Sequence, residues 1–212
     1  MMQAGGGPTP PPTPTPVFYD KLIFDGACTI QTDIVLPANC SMRVTLGSET
    51  LKAAQGVFGA WDGTGGIGLF YGGATSSTRR QLVNFYDSAS LIVSNLYLDF
   101  TYTTFGFYMT PKRIGFGGYT QSFTKGSHHP TGALYLGDWS ANTADYTGEM
   151  RTYYIYNSDA QNVASYSGFE SYTPAYTLRP CTYNGEAGMW CVETGTFYGK
   201  TSGAGTLTVA NL

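Results

Sequence analysis

Two carboxylates roughly 5–10 Å apart can cleave a glycosidic bond, one acting as the acid and the other as the base or nucleophile. Asp99 stands alone in its segment, and Glu149 is followed by a methionine and an arginine. Glu186 and Glu193 lie seven positions apart on either side of a turn signal. Solvated charges at turns and strand edges explain such residues. We therefore expect no catalytic residues and no enzyme activity.

Aromatic residues next to polar ones indicate a second chemistry, sugar binding, in which a ring stacks on the sugar while polar groups hold its hydroxyls. Two Trp–Asp pairs stand at expected strand ends, two tyrosines flank glycine-rich turns, and one histidine lies in a loop. Core packing is the alternative for each aromatic residue, and we expect it for Trp190. The candidate glycan-binding residues are Trp61, Asp62, Tyr71, Tyr119, His128, Asp138 and Trp139.

Metal ligands are sparse. His128 and His129 are the only histidines, and neighbours on an extended chain point to opposite faces, so they rarely hold one ion together. We expect them to form an exposed loop pair. Calcium needs six to eight oxygen ligands, and Asp62, Asp138 and Asp145 are the candidates because all three stand on expected loops. The alternative for loop aspartates is a local turn.

The four cysteines, Cys28, Cys40, Cys181 and Cys191, are spaced too widely for paired zinc ligands. Small buried thiols are the first interpretation. The alternative is a Cys181–Cys191 disulfide across a hairpin, which needs a five-residue loop over 184–188 to bring the two opposite each other.

The composition excludes several classes of protein. Only 12% of the 212 residues are charged, the net charge is −3 and the pI is about 5.2, which argues against nucleic-acid binding. We expect a polar surface whose contacts depend little on salt. No run approaches the ~18 apolar residues of a membrane helix, and the first residues do not resemble a signal peptide. Abundant aromatics (15%) and 28 glycines favour β-structure.

Two regions follow one another along the chain. Residues 1–16 contain three glycines and a Thr-Pro-rich stretch that favours an extended spacer, and we expect an anchor and linker there, a disordered tail being the alternative. Short strands separated by turn signals fill 17–212, Asn184-Gly185 being a strong hairpin signal, and 159–166 allows one helical turn. The expected strands are 21–25, 29–35, 41–46, 56–61, 66–71, 80–86, 90–93, 97–102, 104–109, 113–116, 133–137, 148–156, 175–183, 188–192, 195–200 and 206–209.

Three segments resemble laminin-G-like (concanavalin-A-like) jelly-roll domains, especially those of bacteriophage structural proteins. The segments are LIFDGACTIQT at 22–32, then LYLGDW at 134–139 with YTGEMRTYYIYN at 146–157, and LRPC at 178–181 with the glycine-rich ending through 207. Arg151 stands where the family tends to have Asp, Tyr154 where Arg is common, and Cys191 where Asp is usual.

The resemblance implies an all-β, two-sheet antiparallel sandwich over 17–212 behind a Pro-rich stem. It also implies a virion-associated fibre, adhesin or capsid-decoration protein that binds host or mucosal glycans. Its partners would be other virion proteins through residues 1–16, carbohydrate, and further copies of itself. It would be made in the host cytoplasm and work on the virion surface. A structural virion component without a ligand is the alternative, and a glycan-active enzyme is third, because glycanases of this fold carry an E-x-D-x-x-E pattern that the chain lacks.

Overall fold

A computed structural model describes residues 14–26, 28–47, 55–76, 79–90, 92–99, 104–138 and 146–212. Within these ranges the chain forms seventeen β-strands and two 3₁₀ helices, Ser158–Asn162 and Ser167–Ser171. The strands, in chain order, are β1 (Val17–Phe18), β2 (Lys21–Asp25), β3 (Ile30–Val35), β4 (Ser41–Gly47), β5 (Gln55–Trp61), β6 (Gly66–Ser76), β7 (Arg79–Ser88), β8 (Ile92–Asp99), β9 (Thr104–Met109), β10 (Arg113–Phe116), β11 (Tyr119–Ser122), β12 (Ala133–Leu136), β13 (Thr147–Tyr156), β14 (Tyr176–Tyr183), β15 (Glu186–Cys191), β16 (Thr196–Gly199) and β17 (Leu207–Ala210).

The strands of the described chain form two antiparallel sheets. The larger has the order β11-β10-β9-β4-β13-β14-β15-β16, with β2 also paired to β13 and β17, and β1 to β14. The smaller has the order β3-β12-β5-β6-β7-β8. The predicted all-β two-sheet sandwich is therefore confirmed.

Alternating side chains place each strand against the core. In β3, Ile30, Thr32 and Ile34 are buried while the residues between them are exposed. In β4, Met42, Val44 and Leu46 are all fully buried, as the alternation of that segment predicts. Since neighbouring residues of a strand point to opposite sides, β3 and β4 each offer a second face to the outside.

Aromatic rings join the two sheets at the centre of the sandwich. Phe58 of β5 is fully buried and meets two rings of the larger sheet edge-on, Phe107 at 5.8 Å and Tyr153 at 5.2 Å between ring centroids. Such offset contacts add to the apolar area that is removed from water. Phe58 is thus a main contact between the layers.

The β14–β15 hairpin closes through a two-residue turn. Asn184 and Gly185 have φ angles of 51° and 83°, and this positive φ at both turn positions confirms the predicted hairpin. The register pairs Cys181 with Gly188 and Cys191 with Leu178. The two cysteines are therefore three positions apart along the ladder, about 10 Å, whereas a disulfide needs Cα atoms within ~7 Å. The predicted Cys181–Cys191 bridge is wrong, because the turn is shorter than it required.

All four cysteines are buried free thiols, which we expect to resist modification. Burial raises the pKa of Cys28 and of Cys181 to about 11, and that of Cys40 to about 12. Native protein at pH 8 should react slowly with a thiol reagent, and denaturant alone should release four reactive thiols. Release of only two would contradict the free state, and rapid native labelling would contradict the burial.

The same thiols predict how stability depends on pH. An unfolded thiol ionises near ~8.5, whereas the folded ones hold their protons to a higher pH. The unfolded state therefore binds fewer protons between those values, so the free energy of unfolding should fall as the pH rises from about 9 to 11. Denaturation curves across that interval measure the loss, and a flat profile would contradict it.

Several boundaries differ from the sequence prediction. One strand, β8, replaces the two expected at 90–93 and 97–102, and β1 and β11 were not expected. The single helical turn expected over 159–166 is replaced by the two 3₁₀ helices, each five residues long and far short of the ~18 residues of a membrane helix. Residues 1–13 of the predicted anchor and linker lie outside the described residues.

Candidate functional site

Three of the predicted glycan-binding residues meet at the end of β5. Asp62 accepts hydrogen bonds from His128 Nε2, 2.8 Å from Oδ2, and from the backbone N–H groups of Thr64, Gly65 and Thr131. The bond from His128, followed by that from Thr131, lowers the pKa of Asp62. N–H donors contact both oxygens, so Asp62 holds the loop in place. Its predicted role as a calcium ligand stays a prediction.

Packing and burial correct the prediction that Trp61, Tyr71 and Asp138 form an exposed sugar site, and Tyr71 lies at the opposite end of β5, where it pairs with Gln55. Trp61 is half-buried and packs edge-on against Phe85, with 5.6 Å between ring centroids. Tyr71 is fully buried beside Tyr146, at 6.3 Å between ring centroids, and Asp138 is fully buried too. A ring or carboxylate inside the sandwich cannot meet a polymer outside it, so Tyr71 and Asp138 belong to the core.

The remaining candidates do not join this group. Tyr119 is 60% exposed but lies in β11, in the other sheet. Trp139 and Asp145 lie outside the described residues, so the predictions made for them stay predictions. Within the described ranges, no three His, Cys, Asp or Glu side chains come together as a metal site.

His129 is anchored and does not form an exposed loop pair with its neighbour. Its Nδ1 lies 2.9 Å from Asp87 Oδ1 and its Nε2 lies 2.8 Å from the carbonyl oxygen of Leu36. Lys125 donates to the other oxygen of Asp87 at 2.9 Å. Asp87 is buried, so these contacts satisfy a carboxylate that has left water. The two histidines thus bind different carboxylates and tie their loop to the sandwich.

A better candidate lies on the outer face of the larger sheet, where β4 and β13 run side by side. Arg43 and Thr45 alternate with the buried residues of β4 and point outwards. In β13 the register shifts between Met150, which pairs with Leu46, and Tyr153, which pairs with Val44. Two residues of β13 therefore oppose one of β4, which defines a β-bulge.

The bulge sends two consecutive side chains to the same side. Met150 and Tyr153 are both fully buried, and Arg151 and Thr152 between them are both half-buried. Ordinary alternation would have turned one of the pair into the core. The bulge instead places an arginine and a threonine next to Tyr154 on the outer face.

An arginine held among tyrosines forms one wall of this face. The guanidinium carbon of Arg43 lies 4.7 Å from the ring centroid of Tyr154, 5.3 Å from that of Tyr166 and 6.0 Å from that of Tyr156. A cation over an aromatic face is attracted by the negative charge of the ring face. The arrangement fixes the two outer tyrosines, Tyr154 and Tyr166, relative to each other.

Tyr166 comes from the segment that carries the two 3₁₀ helices, which covers one end of the outer face. A second apolar cluster holds this segment down, formed by Tyr108, Tyr156, Ala160, Val163 and Phe169. The Tyr166 hydroxyl shares a 2.9 Å hydrogen bond with Thr45 Oγ1. Its ring lies over Gly106, where an added Cβ would come within 2.9 Å of it. The absence of a side chain at Gly106 therefore lets the ring lie flat on the sheet.

Between this wall and the residues Tyr19, Asp20 and Leu212 lies a cleft of about 260 Å³. Ligand pockets typically measure ~300–1,000 Å³, so the cleft is near the small end of that range. It combines tyrosine rings with hydroxyl, guanidinium and carboxylate groups. The lining residues are Tyr19, Asp20, Thr45, Arg151, Thr152, Tyr154, Tyr166, Arg179 and Leu212.

Aromatic residues continue from the cleft towards the edge of the sheet. The guanidinium carbon of Arg179 lies 4.1 Å from the ring centroid of Phe18, and Arg179 pairs with Trp190 on the next strand. The ring of Tyr183 lies between Trp190, at 5.5 Å, and Phe197, at 5.4 Å. Trp190 is half-buried on this outer face, which corrects its expected place in the core.

Sequence reasoning missed this cleft, because its residues come from six separate parts of the chain. One signal pointed to it. Two departures from the family's pattern, Arg151 and Tyr154, both line the cleft. A substitution at an outward-facing position does not disturb the packing of the core. Such a position can therefore acquire a binding residue.

No protein-family model matches the chain, and no curated protein matches its sequence significantly. Among solved structures, a proposed carbohydrate-binding protein from Bacteroides ovatus matches with a TM-score of 0.60 and 9% identity, over 92% of this chain and 61% of that one. Domains LG4-5 of the mouse laminin α1 chain match at 0.47 with 12% identity, over 66% and 41%.

The enzymatically active domain of tailspike protein 2 from bacteriophage CBA120 matches at 0.41 with 13% identity, over 76% of this chain and 32% of that one. The chain thus spans less than two thirds of the length of each of these three structures. At such identities the likeness concerns the fold alone, and of the three structures only the first has a TM-score above 0.5. Its coverage of nearly the whole chain gives this protein a β-sandwich fold of the concanavalin-A/laminin-G-like kind.

Proposed function

We propose that the protein binds glycans through the outer-face cleft. The observation that carries the proposal is the pair of tyrosines, Tyr154 and Tyr166, held around Arg43 at the wall of a polar cleft. A pyranose has an apolar C–H face that packs on a ring and hydroxyls that exchange hydrogen bonds with side chains. The hydroxyls of Thr45, Thr152 and the lining tyrosines supply such partners.

The fold supports the same proposal by analogy. The Bacteroides ovatus protein with a similar fold is itself a proposed carbohydrate-binding protein. Folds host many functions, so the analogy adds weight only because this chain has a cleft of matching chemistry. The contacts of Asp62 and His128 make the end of β5 the weaker candidate.

The test is a glycan array followed by titration with the best ligand, with and without calcium. Tyr154→Ala should weaken binding at least about tenfold, since a stacking platform is lost. Tyr135→Ala is the matched control, because Tyr135 is a half-buried tyrosine on the smaller sheet. Circular dichroism should show that both variants fold. Absence of binding to any glycan, or loss of binding in the control alone, would contradict the proposal.

We further propose that the protein serves on a bacteriophage particle, as a fibre, adhesin or capsid decoration, with residues 1–16 as the attachment segment. The support is the resemblance of the closing segment to phage structural proteins and the Pro-rich stretch that precedes the sandwich. The neighbouring genes provide the test. Capsid or tail genes alongside would support this setting, and a neighbourhood of metabolic genes alone would contradict it.

A further inference from the structure

We infer that the cleft selects acidic saccharides, those bearing carboxylate or sulfate groups, an inference that rests on the proposed glycan binding. The chain as a whole carries eleven Lys and Arg against fourteen Asp and Glu. Arginines are nevertheless grouped at the cleft. Arg151 and Arg179 line it, Arg43 stands behind its tyrosine wall, and Asp20 supplies the one acidic side chain of the lining.

Arg179 has unused hydrogen-bonding capacity. Its guanidinium stacks on Phe18, and in the part of the chain that the structure describes it has no carboxylate or hydrogen-bond partner. A stacked guanidinium keeps its N–H groups in the plane of the fork, where they can meet two oxygens at once. Carboxylate and sulfate both present such a pair of oxygens.

Arg151 shares a single acidic neighbour with Lys21, so this group of three keeps one net positive charge. Lys21 Nζ lies 2.6 Å from Glu149 Oε2, so the lysine already neutralises that carboxylate. Arg151 Nη2 is 3.6 Å from the other oxygen, beyond hydrogen-bond length. The positive charge of Arg151 is therefore available to a ligand in the cleft.

Asp20 does not cancel the two arginines. Its Oδ2 accepts a hydrogen bond from the backbone N–H of Leu212 at 3.0 Å. Asp20 is thus held by the backbone rather than by either guanidinium group, and it can also accept a hydrogen bond from a sugar hydroxyl. A neutral sugar would use the tyrosines and hydroxyls alone, whereas an acidic one would also use both guanidinium groups.

The experiment compares matched polymers. One pair is a polyuronate and the same polymer with its carboxyl groups reduced to alcohols, and the other is a sulfated glycan and its desulfated form. The charged member of at least one pair should bind at least about tenfold more tightly, and its affinity should fall as salt rises. The overall composition predicted contacts that depend little on salt, so this dependence is a local property of the cleft.

Variants assign the effect to the cleft. Arg179→Gln and Arg151→Gln should each weaken binding of the acidic polymer at least about fivefold more than they weaken binding of its neutral counterpart. Arg179→Lys should restore only part of the affinity, because lysine lacks the planar fork. The control is Lys200→Gln, which removes the same charge from an exposed position outside the cleft lining.

The outcomes separate the two proposals. Equal binding of the charged and neutral members, lost in Tyr154→Ala, would overturn the acidic preference and leave glycan binding standing. Binding of the acidic polymer that Lys200→Gln weakens as much as Arg179→Gln would show general charge attraction and would also overturn the preference. Binding to no polymer, charged or neutral, would overturn both.

Discussion

Replacing Phe58 with alanine lowers the free energy of unfolding by about 3–5 kcal/mol, the largest effect that we expect from one substitution. The ring is fully buried between the sheets and contacts Phe107 and Tyr153 of the opposite layer. Removing the ring loses buried apolar area and leaves a cavity. The two paired sheets hold the strands apart, so the cavity cannot close. Urea denaturation, followed by tryptophan fluorescence, measures the change.

Two variants make this expectation specific. Phe58→Leu keeps most of the apolar volume and should lose clearly less stability than the alanine variant. Val35→Ala in the same sheet removes a side chain that is 50% exposed and should change stability by no more than ~0.5 kcal/mol. A loss at Val35 as large as that at Phe58 would show that the sheets do not pack through this ring.

The second large effect is expected from Asp87→Ala, which should cost about 2–4 kcal/mol. The substitution leaves Lys125 and His129 without the buried carboxylate that they share. Lys125 is partly exposed and can return to water, which keeps the cost below that of a fully buried pair. Asp87 also has a φ of 51°, where alanine is less stable than Asp or Asn.

Asp87→Asn separates the two causes. Asparagine tolerates the same φ and keeps one oxygen acceptor, so Asp87→Asn should lose less stability than Asp87→Ala. The difference between the two losses measures the contribution of the backbone conformation and of the remaining hydrogen bond. Asp62→Ala is the companion variant, because its carboxylate also clamps the loop but is less deeply buried. If Asp87→Ala proved as stable as the wild type, the network would not be what ties His129 to the sandwich.

The architecture was predictable because it depends on periodic burial. Met42, Val44 and Leu46 alternate in the sequence, and their strand lies where the alternation indicates. Asn184-Gly185 was also informative, since the positive φ of both turn residues is a local requirement. Local rules of this kind are enough to predict strands and tight turns.

The candidate site was harder to predict, because it depends on which outward faces lie next to each other. Trp61 and Asp62 suggested a sugar site by type alone, but the sequence does not reveal that N–H donors already occupy the carboxylate. The cleft depends on pairing between β4 and β13, across more than a hundred residues, and on a bulge. A bulge breaks the alternation, so a pattern search cannot tell which side chains it turns outwards.

The bulge in β13 also separates residues that are constrained by core packing from residues that are free to vary on the same strand. Arg151 and Thr152 have no inward-facing counterpart, so substitutions there leave the interior as it is. Deleting either residue would leave one residue opposite Thr45 and restore simple alternation, with Met150 and Tyr153 still inward and Tyr154 still outward. Chains of this design can thus vary their outer surface at this point by replacing one of these two residues, or by losing one, while the interior of the sandwich keeps its side chains.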